Sequence, residues 1–254
     1  MIRIKKGPEP KILANEGRAE TRRMMEQYDT DPESYRCGKS KFFFDDQIYK
    51  APEVRSVLET DQHSKCCYTE ARLQQYPHVE HFRPKGRVSS RVTTEKLRPG
   101  YYWLAYCWSN LMLSNAKVNV SYKMDYFPLR IEDDRARSHH DKESDESPTL
   151  IDPCSEDPRD HIRFHLDEPK SMSDRGEISI IVFGLRDPRL QDDRMTHLGY
   201  LGVFKDIIDA YENSADDRKT SALTESIERA KQILIEAVTP SAPFSSMAID
   251  FLDR

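Results

Sequence analysis

The sequence predicts an α+β protein that is largely helical, and two kinds of pattern support this fold class. Residues 189–211 and 221–238 place apolar side chains at helical spacing over long stretches. Residues 79–82 and 161–166 are short runs of β-forming and alternating residues, too brief for helices of that kind. We therefore expect short strands embedded in a mainly helical single chain.

Composition limits the class of protein. The 254 residues are 37% hydrophobic and 33% charged, which fits an elongated helical protein or one whose buried surface is completed by a partner. No run of about 18 apolar residues occurs and the beginning has no apolar signal region, so we expect a cytoplasmic protein without membrane contact. Five scattered cysteines, an odd number, indicate reduced thiols rather than a disulfide framework.

The charge is distributed unevenly along the chain. The net charge of −5 argues against a general nucleic-acid binder, but residues 1–130 hold 23 Lys+Arg against 16 Asp+Glu, a net of +7. Residues 131–254 hold 16 against 28, a net of −12. The basic half could meet phosphates, whereas the acidic half is expected to face solvent, a basic partner or the basic half itself.

Residues 1–64 are expected to form a helical segment that packs on the rest. A charged amphipathic helix is predicted from about Lys11 to Tyr28. Pro52 is favourable at the first position of a helix, so a second helix is predicted from there through Leu58.

Residues 65–130 are expected to carry the chemistry. Pro84 cannot donate a ladder hydrogen bond, so the strand near Val79 should stop there and leave Glu80 and His81 at an accessible end. A carboxylate can hold a hard divalent cation, and a neighbouring imidazole can take a proton from water. Arg83 and Lys85 could hold a phosphate close by. This combination is typical of phosphodiester hydrolysis.

The segments that follow the predicted strand differ in character. Residues 88–100 are polar and indicate an inserted loop, whereas residues 101–108 form the densest aromatic run, for which core packing is favoured over base stacking. Asn110 ends this run, and a helix is predicted to hold Asn119 and Lys123 one turn apart on one face, so that Lys123 can touch a phosphate.

Residues 131–254 form an acidic region that could dock a partner. Residues 131–148 are predicted to be a loop, in which His139 and His140 beside Asp141 are a weak metal signal, since adjacent histidines in polar loops are more often solvated. A strand over 161–166 and another from Glu177 to Phe183 are predicted to pair. The helices at 189–211 and 221–238 follow, and the apolar residues 247–252 should dock on something.

The motifs resemble those of the HNH endonucleases, specifically the PtuB-like nucleases of Septu and retron anti-phage systems. The matching residues cover most of residues 1–185 and include the Lys5-Lys6-Gly7-Pro8 opening, Tyr49-Lys50, Lys65-Cys66, Val79-Glu80-His81-Phe82-Arg83-Pro84-Lys85, Tyr102-Trp103-Leu104-Ala105-Tyr106, Trp108-Ser109-Asn110-Leu111, Asn119, Lys123, Phe127-Pro128 and Ile151-Asp152-Pro153. The resemblance implies a ββα-metal core within residues 65–130. A bare His-Asn-Asn pattern would be weak, whereas Glu-His-Phe-Arg-Pro-Lys with the Trp-Leu-Ala-Tyr block is far more specific.

Carried over to this sequence, the resemblance makes His81 the general base. It makes Glu80 and Asn119 the metal ligands, and Asn110 the residue that fixes the loop carrying the base. Oxygen ligands of this kind suit one Mg²⁺ or Mn²⁺ ion rather than zinc. Many relatives also have two C-x-x-C knuckles that bind a structural zinc. Only Cys66 remains of those four cysteines and Cys67 is out of register, so we predict no structural zinc here.

The resemblance also implies partners. They are a PtuA-like ATPase, a nucleic-acid substrate and, where the system includes a retron, its reverse transcriptase and DNA. The chain has no G-x-x-x-x-G-K-[ST] motif, so any ATP dependence must come from the partner. DNA is the first expectation for the substrate and RNA the alternative.

Two other hypotheses remain open. One is a catalytically silent nucleic-acid-binding or scaffold subunit, which the intact Glu80, His81 and Asn119 disfavour. The other is a stand-alone restriction-type enzyme, which is disfavoured because no DNA-reading module is recognisable in the sequence.

Overall fold

The computed structural model describes residues 1–73, 77–90, 96–215 and 220–253. Its α-helices are α1 (Arg18–Thr30), α2 (Pro32–Arg36), α3 (Asp46–Tyr49), α4 (Pro52–Asp61), α5 (Asp174–Val182), α6 (Pro188–Glu212), α7 (Ser221–Ala237) and α8 (Ser245–Leu252). A π-helical turn at Leu13–Gly17 leads into α1, and a second π-helix covers Val118–Lys123. The strands are β1 (His78–His81), β2 (Leu111–Ser114), β3 (Ile162–His165) and β4 (Glu168–Ser171).

The strands form two small antiparallel sheets. In the first, β1 pairs with β2 so that Glu80 lies opposite Met112 and His81 opposite Leu111. In the second, β3 pairs with β4. The molecule therefore mixes helices and short strands as expected, while the assignment of its first sheet to a ββα-metal core stays a prediction.

The main core draws on all three predicted segments of the chain. Buried side chains from Met1 to Met247 form one connected hydrophobic cluster. Tyr101, Tyr102, Trp103, Tyr106 and Trp108 belong to it, so the prediction that the aromatic run packs in the core is confirmed. The division into segments 1–64, 65–130 and 131–254 stays a prediction.

Helices α6 and α7 pack against each other beyond this core. Ile208 meets Ile227 and Ala230 in one cluster, and Leu201 meets Ala237 and Ala248 in another. The side chain of Asp187 caps α6 by accepting from the backbone N–H groups of Arg189 and Leu190. The predicted helices at 11–28, 52–58, 189–211 and 221–238 are confirmed, each within a few residues of its expected ends.

Helix α8 is tied to the loop before β1. Its residues Ser245 and Ser246 donate their hydroxyl groups to the buried carboxylate of Glu70. Lys65 lies 3.6 Å from the same carboxylate, and its ammonium also donates to the Ala242 carbonyl at 2.8 Å. The expectation that residues 247–252 dock on the protein is confirmed, because Met247 and Ala248 are buried.

The strand predicted from Glu177 to Phe183 is wrong, because these residues lie in and just after α5. The Ser173 side chain caps this helix by accepting from the Gly176 N–H group. The β-branched run suggested a strand, but Ile180 and Val182 are buried while Ile181 is exposed, and tertiary packing outweighs their weak β preference. Strand β3, within the predicted 161–166 strand, pairs instead with β4.

Other expectations concern loops and exposure. Residues 131–148 contain short 3₁₀ turns rather than a longer element, as predicted. In the loop at 88–100, an isolated antiparallel bridge joins Val88 to Leu97, and residues 91–95 lie outside the described part.

All five cysteines are free thiols. Within the described ranges, no helix combines the length and apolar character needed to cross a lipid bilayer.

Candidate active site

The first sheet brings together residues that are about thirty positions apart. Strand β1 carries Glu80 and His81 at its end, and the pairing of His81 with Leu111 places Asn110 beside that end. The π-helix at Val118–Lys123 follows β2 closely and brings Asn119 and Lys123 to the same place. Two strands and a helix thus position the predicted site.

His81 is held with one ring nitrogen fixed. Its Nε2 lies 2.9 Å from the carbonyl oxygen of Ala105. A carbonyl only accepts, so Nε2 carries the hydrogen and Nδ1 keeps its lone pair. The ring also meets Tyr49 edge to face at a centroid distance of 4.9 Å. Burial, followed by the charge of Lys85, lowers the pKa of His81 well below its usual value, so the imidazole is neutral at neutral pH.

Glu80 lies next to His81 in a network of polar contacts. The Lys123 ammonium is 2.6 Å from Glu80 Oε1 and also donates to the His81 carbonyl at 2.9 Å. The other carboxylate oxygen, Oε2, accepts from the amide of Asn119. Glu80 and Lys123 are both buried, so each charge depends on the other for compensation.

Asn110 joins the start of β2 to the residue after β1. Its Oδ1 accepts from the Arg83 N–H group at 2.7 Å, and its Nδ2 donates to the carbonyls of Arg83 and Leu104 at 3.0 and 3.1 Å. All of these partners are backbone groups. Asn110 therefore fixes the chain immediately after His81.

Lys85 faces His81 from the loop after β1. Its ammonium is 3.4 Å from His81 Nδ1 and 4.6 Å from the centre of the Tyr49 ring. Burial lowers the pKa of Lys85 to about 8, with Glu80 opposing this and Lys50 adding to it. Lys85 is thus a partly buried cation at the free nitrogen of the histidine.

Two of the predicted phosphate contacts need correction. Lys123 is completely buried and its ammonium is paired with Glu80, so it is not placed to meet a phosphate. The guanidinium of Arg83 bonds the carboxylate of Glu146 at 3.0 Å. Of the three predicted cations, Lys85 is the one whose ammonium lies beside the imidazole of His81 in the described structure.

A surface groove of about 420 Å³ gives access to Glu80, His81, Lys85 and Asn119. Its wall also includes residues that were not predicted for the site, among them Phe44, Arg87 and Asp125. The Lys41-Phe42-Phe43-Phe44 run was visible in the sequence, but nothing in that run places Phe44 beside a histidine that lies 37 positions later. Arg87 could have been found from its position two residues after Lys85.

The donor set fits a hard divalent cation. Glu80 Oε2 and the Asn119 amide touch at the wall of the groove, and the amide turned by half a rotation would present its oxygen there. One carboxylate oxygen and one amide oxygen suit Mg²⁺ or Mn²⁺ with several water ligands. Because Lys123 already compensates part of the Glu80 charge, we expect weak binding that strengthens when a phosphate adds oxygen ligands.

The loops that would carry zinc knuckles are joined by hydrogen bonds. The Asn115 N–H group donates to the Cys66 sulfur at 3.3 Å, and the Asn115 amide donates to Thr69 Oγ1 at 3.4 Å. Burial alone would raise the pKa of Cys66, but hydrogen bonds from Cys67, Thr69 and Asn115 outweigh it and lower that pKa to about 6. The absence of zinc at this place stays a prediction.

Comparison with known proteins points to one named relative. The chain is 37% identical over 160 residues to the Septu protein PtuB of Bacillus mycoides (strain KBAB4), which covers 61% of this chain. The match covers 53% of the relative, so the chain spans about half the length of the curated protein it matches. No family model and no solved structure matches. Over the matched residues, the chain is therefore similar to a Septu PtuB protein.

Proposed function

We propose that this protein is a metal-dependent endonuclease of the HNH type that hydrolyses phosphodiester bonds as an effector of anti-phage defence. The observation that supports it most directly is the orientation of His81. Its Nε2 is fixed on the Ala105 carbonyl, while Nδ1 is 3.4 Å from the ammonium of Lys85, and both residues line the groove with Glu80. Similarity to a Septu PtuB protein supports the defence role.

His81 would act as the general base. A neutral imidazole whose Nε2–H is already bonded can accept a proton only at Nδ1. A water molecule in the groove at hydrogen-bond distance from Nδ1 would lose its proton there as its oxygen attacks phosphorus. The bond from phosphorus to the leaving nucleotide oxygen would break, and that oxygen would take a proton from solvent. A placed histidine of this kind typically contributes about 10² to 10⁴ in rate.

Lys85 would exchange its contact with His81 for one with the substrate. In the free protein its ammonium lies 3.4 Å from Nδ1, where the attacking water must come. A phosphate entering the groove offers a stronger partner than a neutral imidazole, because its contact with the ammonium is charge-assisted. The move would free Nδ1 and place a positive charge on the scissile group.

Glu80 and Asn119 would hold the divalent cation against the phosphate. When bound, Mg²⁺ or Mn²⁺ supplies positive charge that offsets the negative charge developing on the phosphate and the leaving oxygen. Lys123 holds the Glu80 carboxylate in one orientation from the buried side. Asn110 keeps the backbone after His81 in place through Arg83.

The proposal includes a PtuA-like ATPase as partner and DNA as the first expected substrate, with RNA as the alternative. A retron reverse transcriptase and its DNA would join the complex where the system includes them. The low apolar share of the sequence and the exposed apolar side chains on α6, among them Tyr200 and Val203, support association with another protein.

The test is nuclease activity of the chain co-expressed with its neighbouring ATPase, against plasmid DNA and total RNA with Mg²⁺. We expect His81→Ala to reduce cleavage by about 10² or more. His78→Ala is the matched control, because His78 lies on the same strand but does not line the groove. The polymer that is degraded identifies the substrate.

Equal cleavage by wild type and His81→Ala would contradict the proposed base. No cleavage from either protein under phage infection would favour the scaffold subunit. Cleavage lost in both His81→Ala and His78→Ala would indicate damage to the sheet rather than to the chemistry, and thermal unfolding of both variants would detect it.

A further inference from the structure

A second group of metal-ligating side chains lies outside the candidate active site. Asp29, near the end of α1, meets His139 and His140 from the 131–148 loop. His140 Nε2 is 2.8 Å from Asp29 Oδ1, and His139 Nε2 is 3.4 Å from Asp29 Oδ2. The three ligand atoms all lie within 4.8 Å of one another. Among the described residues, it is the only group of three or more His, Cys, Asp or Glu side chains whose ligand atoms lie close enough to share one metal ion.

The turn that carries the histidines is already ordered. Asp141, which follows the two histidines in the sequence, closes the turn. Its Oδ2 accepts from the N–H groups of Arg137 and Ser138 and from the Ser138 hydroxyl. The turn is therefore closed by Asp141, and the third ligand comes from Asp29, 110 positions earlier than His139.

Tyr102 fixes the ring of His139 from behind. Its hydroxyl lies 2.6 Å from His139 Nδ1, and the tyrosine is completely buried. A hydroxyl both donates and accepts, so Nδ1 can carry the hydrogen and leave a lone pair on Nε2, which faces Asp29. A partner on the far nitrogen of a ligating histidine is what orients such rings in metal sites.

We propose that Asp29, His139 and His140 bind one transition-metal dication of the zinc type, with water completing the coordination. Two imidazole nitrogens and one carboxylate oxygen are ligands that Zn²⁺ accepts in a tetrahedral arrangement with one open position. Mg²⁺ prefers oxygen ligands and is expected to bind here poorly. The site is separate from Glu80 and Asn119 and does not depend on the proposed nuclease activity.

Binding here would join α1 to the 131–148 loop. Through the hydrogen bond to His139, it would also restrain Tyr102, which belongs to the aromatic block of residues 101–108. The ring of Tyr102 stacks on that of Phe42 at a centroid distance of 4.4 Å. The same block carries the Ala105 carbonyl that orients His81. We therefore expect zinc to raise the melting temperature of the folded protein.

The experiment is equilibrium dialysis of the EDTA-treated full chain against micromolar ZnCl₂ in the presence of excess MgCl₂, with bound zinc measured by elemental analysis. We expect about one equivalent in the wild type and loss of that equivalent in His140→Ala. His140 is exposed and its ring contacts Asp29, so removing it should not prevent folding. His165→Ala, an exposed histidine on β3, is the control and should keep the zinc.

Further variants separate this site from others. Tyr102→Phe keeps the ring and removes the hydroxyl, and we expect about 10-fold weaker zinc binding. Asp29→Asn should lose the equivalent as His140→Ala does. Equal zinc uptake in wild type and His140→Ala, or no uptake by the wild type, would overturn the proposal. Zinc that persists in His140→Ala but disappears in Cys66→Ser would place it at the knuckle loop and contradict the knuckle prediction as well.

Discussion

Two regions of the molecule differ in which side chains they expose to water: the first sheet with its π-helix, and the α6–α7 pair. Around the sheet, Glu80, His81, Asn110 and Lys123 are all buried, none more than 7% exposed. On α6, Tyr200, Val203 and Ile207 are 65%, 56% and 46% exposed. The sheet region therefore buries polar and charged side chains, whereas α6 exposes apolar ones.

Each arrangement is unfavourable for an isolated protein, and the difference indicates where each region acts. Burying a charged pair costs several kcal/mol that its mutual attraction only partly returns, so such a pair is kept where a fixed geometry is required. An apolar stripe at helical spacing is typical of a surface that another protein covers. Under the proposed function, the sheet region would carry the chemistry and α6 would contact a partner.

Lys123→Met should give the largest loss of stability. It leaves the Glu80 carboxylate buried without its cation, and breaking such a pair typically costs about 3–5 kcal/mol. Lys117→Met is the control, because Lys117 is half exposed and its pair with Asp187 should contribute about 1 kcal/mol or less. Urea unfolding of both variants measures the difference, and equal losses would contradict the role given to Lys123.

The double variant Glu80→Gln/Lys123→Met tests whether the charge of Lys123 or the packing of its side chain supports the site. Removing both charges avoids the unpaired carboxylate, so we expect much of the lost stability to return. Cleavage should be abolished, because the proposed metal ligand Glu80 has lost its charge. A double variant as unstable as Lys123→Met would show that packing of the lysine chain, rather than its charge, supports the site.

Asn110→Ala should have a smaller effect on stability. It removes hydrogen bonds to the backbone of Arg83 and Leu104 and leaves buried groups unpaired, which costs about 1–3 kcal/mol. The backbone after His81 would also lose these hydrogen bonds, so cleavage should fall although the Asn110 side chain bonds only backbone groups. A loss of stability with unchanged cleavage would limit Asn110 to a purely structural role.

Lys85 should give the site a limit at alkaline pH. Its pKa is about 8 in the folded protein against an ordinary value of 10.5, so it loses its charge as the pH rises through about 8. Cleavage should therefore decline above that pH, and Lys85→Arg, which stays charged, should move the decline upward. The charged and titratable groups around it are His81, Tyr49, Lys50, Asp46, Glu80 and Lys123.

The same shift has a consequence for folding. Between about pH 8 and 10.5 the unfolded chain binds a proton at Lys85 that the folded protein does not, so this residue makes stability rise with pH in that window. Unfolding at pH 8 and pH 10 for wild type and Lys85→Met measures its share. A pH dependence that is the same in both proteins would contradict the assigned shift.

The smallest effect on stability is expected on α6. Val203→Ser and Ile207→Ser alter exposed side chains and should change the free energy of unfolding by about 0.5 kcal/mol or less. They should nevertheless weaken co-purification with the proposed ATPase partner, whereas Glu225→Ser on α7 should not. Undiminished association would direct the search for the interface to another surface.

The sequence was sufficient for the strand ending near Pro84 and for the amphipathic helices, because proline chemistry and hydrophobic period act locally. It failed at α5, where a capping serine and packing outweighed a β-branched run. It also failed to separate Lys85 from Lys123 and Arg83. Which way a cation turns depends on partners that are distant in sequence, here Glu80 for Lys123 and Glu146 for Arg83.

The buried carboxylate of Glu70 joins two parts of the chain that are far apart in sequence. Ser245 is 175 positions from Glu70 along the chain, yet its hydroxyl is 2.8 Å from that carboxylate. Helix α8 is therefore a near neighbour of the loop that leads to β1. Substitutions of Ser245 or Ser246 should therefore disturb the segment around Glu70 as well as α8.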